Sequence, residues 1–490
     1  MDFVSYSFVF LYLFALIARF SIGRLGGSDR RYLVCLLILS MVFYGWHIPS
    51  YLLLLFSIVL LHYTAARAIH RHRSEGFGKL ILAVTIFSNI IALAVFKYAD
   101  LFLDWLFRPL EIGVLGTNSL PDSFEIALPI AISFYTFQTI SYSVDVYRTK
   151  ITPEKDFLRF LTYVIFFPQL IAGPIVRASE FLYQFTRVRR PARKVFNWGG
   201  YLIIRGLFLK LVVADNLGII IDQFWDKLGQ PGVPTYVGLS IPLFFSVRLL
   251  CDFMAYTDIA RGIAYQLGFR LPINFNSPYI ATSFSDFWQR WHITLSRWFK
   301  DYLYIPLGGN RDGISRGIFN IILVFLLSGL WHGANPTFLA WGFILGIVLV
   351  AEVLAVRIWN LLNVDLPDGF SGKALTIGGA LVWYFVVQLI WILSLIFFKS
   401  AEFEQAIQIL ENLFEFHPPT EPTGRERYHY VLIGWGLVVP VILMHLRTFI
   451  VERYASLTIC STERLIYAGI MLGLTSTLYA SPRSFIYFQF

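Results

Sequence analysis

Charged residues are scarce in this 490-residue sequence: Asp, Glu, Lys and Arg make up 14 % of it, where soluble domains carry about 25 %. So few charges cannot clothe a water-soluble surface on a chain of this length. The shortage excludes a soluble enzyme with a single membrane anchor, and equally a disordered or collagen-like chain. Cysteine is nearly absent. Cys35, Cys251 and Cys460 lie far apart in or near apolar stretches and form no CxxC pair. They suit neither a metal site nor a disulfide framework, and read as small core residues. No basic segment leads the first apolar run, which Asp2 precedes, so no cleavable signal peptide is expected. Internal repeats, low-complexity tracts and a soluble domain are also missing, and residues 1–490 read as one integral membrane domain.

Acid is the scarcer charge, with 31 Asp and Glu against 40 Lys and Arg and a net charge of +9. The basic residues fall between apolar segments, so their excess reads as a positive-inside bias and not as a nucleic-acid surface. What the sequence does have is apolar bulk: 57 % of it is Ala, Val, Ile, Leu, Met, Phe, Trp, Tyr or Cys. Stretches with little or no charge run Val4–Ala18, Tyr32–Leu61, Leu80–Phe96, Ile126–Val144, Phe160–Val176 and Val233–Val247. Others follow at Gly317–Ala351, Ala374–Phe398, Tyr430–Leu446 and Leu465–Ser481, with a weaker one at Gly199–Val213. A helical span needs about 20 mostly apolar residues. Tyr32–Leu61 and Gly317–Ala351 exceed that and are interrupted, by His47 and Pro49 and by Gly333, Asn335 and Pro336 respectively, so each predicts a helical hairpin.

The segments around Arg19–Arg31 and Arg67–Lys79 are basic and are expected in the cytoplasm. The acidic 97–125 loop and the Glu402–Glu421 segment are expected outside. Phe160–Val176 breaks this alternation, because the segments on both sides of it read as cytoplasmic. Its Phe166–Pro174 stretch, FFPQLIAGP, predicts a re-entrant element, since broken backbone at membrane depth persists only when buried in protein or lining a cavity. The expected fold is therefore an all-α polytopic membrane protein with about eleven or twelve spans of about 20 residues each, and re-entrant elements.

Polar residues concentrate between Asp252 and His332. Phe287–Leu307 interleaves Trp291, Trp298, Tyr302 and Tyr304 with Arg290, Arg297 and Lys300, a pattern that predicts an amphipathic interfacial helix. His292 by itself reads as a satisfied core histidine. His332 is different. It lies near the middle of a 35-residue stretch, Gly317–Ala351, without Asp, Glu, Lys or Arg. An ionisable residue at membrane depth is costly and marks a functional site, and imidazole exchanges protons near neutral pH as a general base does. No carboxylate or cysteine stands at ligand spacing beside either histidine, so no metal is expected. Asp145, Asp252 and Asp258 read as members of structural ion pairs, with Arg148 and Arg261 as their sequence neighbours.

Five segments together carry a resemblance: Ser133–Arg148 (SFYTFQTISYSVDVYR), Phe167–Arg177 (FPQLIAGPIVR), Cys251–Gly262 (CDFMAYTDIARG), Phe287–Arg311 (FWQRWHITLSRWFKDYLYIPLGGNR) and Gly329–Gly342 (GLWHGANPTFLAWG). They are similar to the membrane-bound O-acyltransferase superfamily, most of all to its bacterial alginate O-acetylation branch. The D-alanyl transferases of teichoic acids are more distant. The similarity extends over nearly the whole chain, to the terminal Phe485–Phe490 (FIYFQF). It implies a helical ring, thinned at its centre, in which a cytoplasmic acyl donor meets an outside acceptor.

By the same resemblance, the family's invariant histidine falls on His332 and its second polar position on His292. The implied donor is acetyl-CoA, whose phosphates need cations; Arg290, Arg297, Lys300 and Arg311, or the Arg187–Lys194 cluster, are the candidates. The implied acceptor is an extracytoplasmic polysaccharide, reached through a partner acetyltransferase that the Glu402–Arg427 segment would dock, in a bacterial inner membrane. Asn335-Pro336 departs from the alginate pattern, which more often has Ser-Trp there. Two other classes fit the composition: a transporter or flippase, which usually shows an internal repeat, and a non-catalytic membrane scaffold for a polysaccharide-modifying enzyme.

Overall fold

The structure, a computed structural model, describes residues 3–22, 30–46, 48–111, 129, 131–171, 173–186, 190–362, 370–415, 424–453 and 461–486. Side chains are described for all of these except 99–111, 370–377, 424–427 and 461. His47, Arg187, Arg189, Cys460, Asp122, Glu125, residues 416–423 and Tyr487–Phe490 lie outside that description, as do the side chains of Asp100, Asp104 and Glu111, whose backbone is helical where the sequence predicts a loop. Among the described residues there are helices and no strands. The chain forms two compact units, residues 1–203 with 259–272 and residues 204–258 with 273–490.

The first unit begins with α1 (Tyr6–Ser21), α2 (Arg30–Gly45), α3 (Tyr51–Arg71) and α4 (Gly76–Glu111). Ser5 starts α1 by accepting a hydrogen bond from Phe8 N–H through its side chain at 3.2 Å. The break between α2 and α3 falls at Pro49, as the hairpin expectation required. α5 (Ile132–Tyr147) packs on α3 and α4 through a buried polar network. Asn89 Nδ2 donates to His62 Nε2 and to Thr139 Oγ1, both at 2.9 Å, while His62 Nδ1 donates to Ser143 Oγ at 2.8 Å. Satisfied polar groups of this kind hold helices together where lipid offers no hydrophobic drive.

The region expected to re-enter is α6 (Phe157–Ile165) and α7 (Phe167–Leu170), of nine and four residues. Neither reaches the length of a span. Asp156 caps α6, Phe166 breaks the helix and Pro168 restarts it. A one-turn α8 (Ala178–Phe181) follows, and α9 (Arg193–Phe208) leads toward the second unit.

In the second unit a π-helical turn, Leu209–Ala214, precedes α10 (Asp215–Phe224). Lys210 on that turn is 1 % exposed and lies 2.8 Å from both Asp215 and Asp252. Asp252 belongs to α11 (Thr235–Leu267), which also carries Asp258, paired with Arg205 at 2.7 Å. In the first unit Asp145 lies 3.6 Å from Lys150. All three acids are thus ion-pair members, and their salt-bridge cations Lys150, Lys210 and Arg205 include one in a different helix for both Asp252 and Asp258. Asp252 Oδ2 also accepts from Ile486 N–H at 2.7 Å, which ties the C-terminal segment to α11.

The remaining elements are α12 (Phe284–Arg290), α13 (Ile293–Phe299), α14 (Ile314–His332), α15 (Pro336–Leu362), α16 (Phe370–Lys399), α17 (Phe403–Phe414), α18 (Gly424–Arg453) and α19 (Ser461–Leu478). The second predicted hairpin is α14 and α15. α14 ends at His332, Asn335 Oδ1 accepts from Thr337 N–H at 3.0 Å, and Pro336 occupies the first helical position, where its missing N–H costs nothing. Gly329 and Gly342 let the two helices meet backbone to backbone. A Cβ on either would be driven into a carbonyl oxygen of the facing helix, that of Phe338 or Phe325.

Seven helices among the described residues are long and apolar enough to cross a membrane: α3, α4 as far as Tyr98, α11, α14, α15, α16 from Gly378 and α18 from Tyr428. The other apolar stretches form shorter or interrupted helices, such as the 16 residues of α1. Large apolar side chains face outward on these helices, Leu53 74 % exposed and Phe385 67 %. Exposure on that scale suits hydrocarbon and not water. The protein is a multi-pass, all-helical membrane protein.

Candidate active site

Phe287–Leu307 is not one amphipathic helix. α12 stops at Arg290, the chain turns at Trp291 and His292, and α13 begins at Ile293, followed by a π-helical turn over Lys300–Tyr304. The reason lies in packing. Trp291 is 3 % exposed and its ring sits 4.7 Å from that of Trp391 and 5.2 Å from that of Phe275, so it turns inward where an interfacial helix would have kept it at the surface.

His292 takes a left-handed conformation, φ +41° and ψ 52°. Such backbone is uncommon for a non-glycine residue and persists only where the surroundings enforce it. Here they do. Ile293 N–H donates to Asn274 O and Asn276 N–H to Arg290 O, both at 2.9 Å, pairing residues 274–276 with 290–293. The side chain is held by the same segment: His292 Nδ1 donates to Asn274 Oδ1 at 3.1 Å, and Thr294 Oγ1 donates to that oxygen at 2.9 Å. Phe253 packs perpendicular to the imidazole, ring centres 4.7 Å apart. Burial pushes the His292 imidazole down to about 3, so the ring is neutral at physiological pH. Asn274 was not legible as a site residue, because an Asn in a short loop carries no sequence signal of its own.

His332, the last residue of α14, is 6 % exposed inside an aromatic box. Ring centres of Trp331, Trp341 and Phe398 lie 4.8, 5.1 and 5.2 Å from its own. Trp331 also reaches His292, at 6.4 Å. Gly333 N–H closes the last turn of α14 on Gly329 O at 3.4 Å, so this amide already has an acceptor.

His292 and His332, 40 positions apart in the sequence, line one cavity of about 730 Å³. Most of its wall is aromatic and aliphatic, including Trp288, Trp391, Phe299 and Leu349. A mainly apolar chamber with two convergent imidazoles can take a thioester and its acyl group out of water and exchange a proton beside them. Arg297 and Lys300 stand on the same wall, and both are exposed. Arg290 does not line the cavity: its guanidinium binds Asp286 Oδ1 at 2.8 Å and both oxygens of Glu452 at 3.1 and 3.0 Å. Arg311 is exposed and also off the cavity wall. Among the described residues no cluster of His, Cys, Asp and Glu suits a metal ion.

Residues 149–398, which contain both histidines and the whole cavity wall, match the membrane-bound O-acyltransferase family. The chain belongs to that family, as its motifs implied, and is by class an O-acyltransferase. It is 34 % identical over 404 residues to a peptidoglycan O-acetyltransferase of Helicobacter pylori, a match covering 77 % of this chain and 73 % of that protein. It is 36 % identical over 365 residues to a probable alginate O-acetylase of Pseudomonas aeruginosa, covering 72 % and 66 %. A teichoic acid D-alanyltransferase of Streptococcus thermophilus is 26 % identical over 366 residues, covering 70 % and 83 %.

Proposed function

We propose that the protein carries an acetyl group from acetyl-CoA toward an extracytoplasmic polysaccharide, in a bacterial inner membrane and through a partner acetyltransferase. The observation that carries this reading is the convergence of His332 and His292 on one apolar cavity. The relatives' names, which include peptidoglycan, alginate and teichoic acid as targets, support an extracytoplasmic polymer as the final acceptor.

The acceptor hydroxyl attacks the thioester carbonyl carbon, and His332 takes the hydroxyl proton as the new C–O bond forms. The carbonyl re-forms, the C–S bond breaks, and the imidazolium returns that proton to the departing thiolate. General-base help of this kind contributes about 10²–10⁴-fold. His292, neutral and fixed by Asn274, orients the donor. Arg297 and Lys300 on the cavity wall are the phosphate partners best placed for this role. Arg290 and Arg311 serve it less well, the first being engaged by two carboxylates and the second lying off the wall.

The test is acetylation of cell-surface polysaccharide in cells carrying the wild-type chain, His332→Ala or His292→Ala, with membrane abundance measured by immunoblot. Acetylation should vanish in His332→Ala at normal abundance. Undiminished acetylation would remove the general base and leave a scaffold or transporter. Acetylated sugar made by the purified chain and acetyl-CoA alone would remove the partner.

A further inference from the structure

A single carboxylate interrupts the apolar length of α15. Glu352 is 5 % exposed, and an acid at that depth is costly unless its oxygens are satisfied. Among the described residues no Lys or Arg pairs with it. It accepts three hydrogen bonds instead, all from one turn: Phe284 N–H to Oε2 at 2.6 Å, Ser285 N–H to Oε1 at 3.0 Å and Ser285 Oγ–H to Oε1 at 2.7 Å. That turn is the root of α12, whose own cap, Ser283 Oγ, accepts only from Asp286 N–H at 3.0 Å. The first helical N–H groups have no partner within a helix, so Glu352 supplies acceptors that α12 lacks.

The two elements joined here both contribute to one chamber. α12 gives the cavity wall Ser285, Trp288 and Gln289, then runs directly into Trp291 and His292. α15 gives it Trp341, Leu349 and Val353, and Trp341 is one of the rings packed on His332. Leu349 and Val353 flank Glu352 at three residues before it and one after.

We propose that Glu352 is a positioning residue of the reaction: it clamps the root of α12 to α15 and so fixes the placement of His292 against the wall that holds His332. The proposal rests on the acyl-transfer reading for its reaction, though not for its geometry. Ser285→Ala removes one of the three bonds and Glu352→Ala all of them. Glu352→Gln keeps an oxygen that accepts from Ser285 but turns an NH₂ toward Phe284 N–H, so it should recover only part of the function.

Full-length protein in nanodiscs, given labelled acetyl-CoA together with its native membrane fraction, reports label transfer per folded molecule. Misplacing a reacting group by about 1 Å can cost about 100-fold. Glu352→Ala should therefore lower kcat by about ten- to a hundred-fold while KM for acetyl-CoA stays within about threefold. Glu352→Gln and Ser285→Ala should fall between it and wild type. Hydrogen exchange, read without any turnover, should accelerate across residues 284–292 in Glu352→Ala and stay within about twofold elsewhere. Unchanged exchange over 284–292 would overturn the clamp whatever the activity. So would even acceleration along the whole chain with kcat per folded molecule unchanged. A wild-type chain that transfers no label would instead strike the acyl-transfer reading.

Discussion

His292 donates from Nδ1 to Asn274 Oδ1 at 3.1 Å, and that one bond sets its tautomer. An amide oxygen only accepts, so the proton sits on Nδ1 and Nε2 is the basic nitrogen. The same asparagine pairs its backbone with Ile293, so ring and backbone of the histidine are held from one short segment. Asn274→Ala should remove the orienting bond and leave the histidine in place. Its expected signature is a kcat lowered about tenfold or more, with donor KM little changed, since the group lost acts on orientation and not on uniform binding. Steady-state kinetics with acetyl-CoA check it.

The same histidine predicts an acid-side loss of stability. Its folded value is depressed to about 3, against 6.5 for a free imidazole. The unfolded chain therefore takes up a proton below 6.5 that the folded chain does not accept until near 3. The contribution is complete above 6.5 and is lost progressively as pH falls through that window. By pH 5 the loss should amount to about 2 kcal/mol. Thermal unfolding of wild type and His292→Asn at pH 7 and pH 5 checks it, since the variant should lose less on acidification.

Lys210 predicts a larger structural effect. Its ammonium lies between Asp215 and Asp252, and all three side chains are 1–2 % exposed. Removing one partner of a buried ionic group leaves uncompensated charge and costs about 3–5 kcal/mol. Lys210→Ala should thus lower membrane abundance and midpoint of unfolding far more than Lys300→Ala, whose side chain is exposed.

Lys300→Ala should act on binding instead. If the cavity wall holds the donor's phosphates through Lys300 and Arg297, the variant raises KM for acetyl-CoA several-fold with kcat preserved, and the effect shrinks at high salt. Unchanged KM at low ionic strength would take the phosphate away from that wall.

The α14–α15 hairpin makes a prediction from shape alone. Gly329→Ala would push a methyl group into the Phe338 carbonyl and Gly342→Ala one into that of Phe325. Backbone cannot swing aside as a side chain can, so each should cost about 1–3 kcal/mol by forcing the helices apart. Gly378→Ala, inside α16 where a Cβ meets nothing within 4 Å, is the control: it gains helix propensity and should leave the unfolding midpoint equal or slightly raised.

The sequence by itself determined the solvent and the punctuation of the chain. Low charge and long apolar runs demand lipid, and Pro49 and Pro336 mark helix boundaries through the N–H they lack, whereas Pro242 and Pro440 lie inside α11 and α18, where packing carries the helix through them. His332 stood out for the same kind of reason, as an ionisable group in a long uncharged stretch. Its placement with His292 on one cavity was decided only in three dimensions. The Phe287–Leu307 segment shows why. Its pattern of Trp, Arg and Lys fits an interfacial helix, yet packing of Trp291 on Trp391 and pairing with residues 274–276 break it at His292. Asn274 and Glu352 carry no local signal of their partners, because a hydrogen bond to a residue 18 or 68 positions away depends on where the fold brings the two together. Periodicity and composition report a residue's solvent; only the packed chain chooses its neighbours.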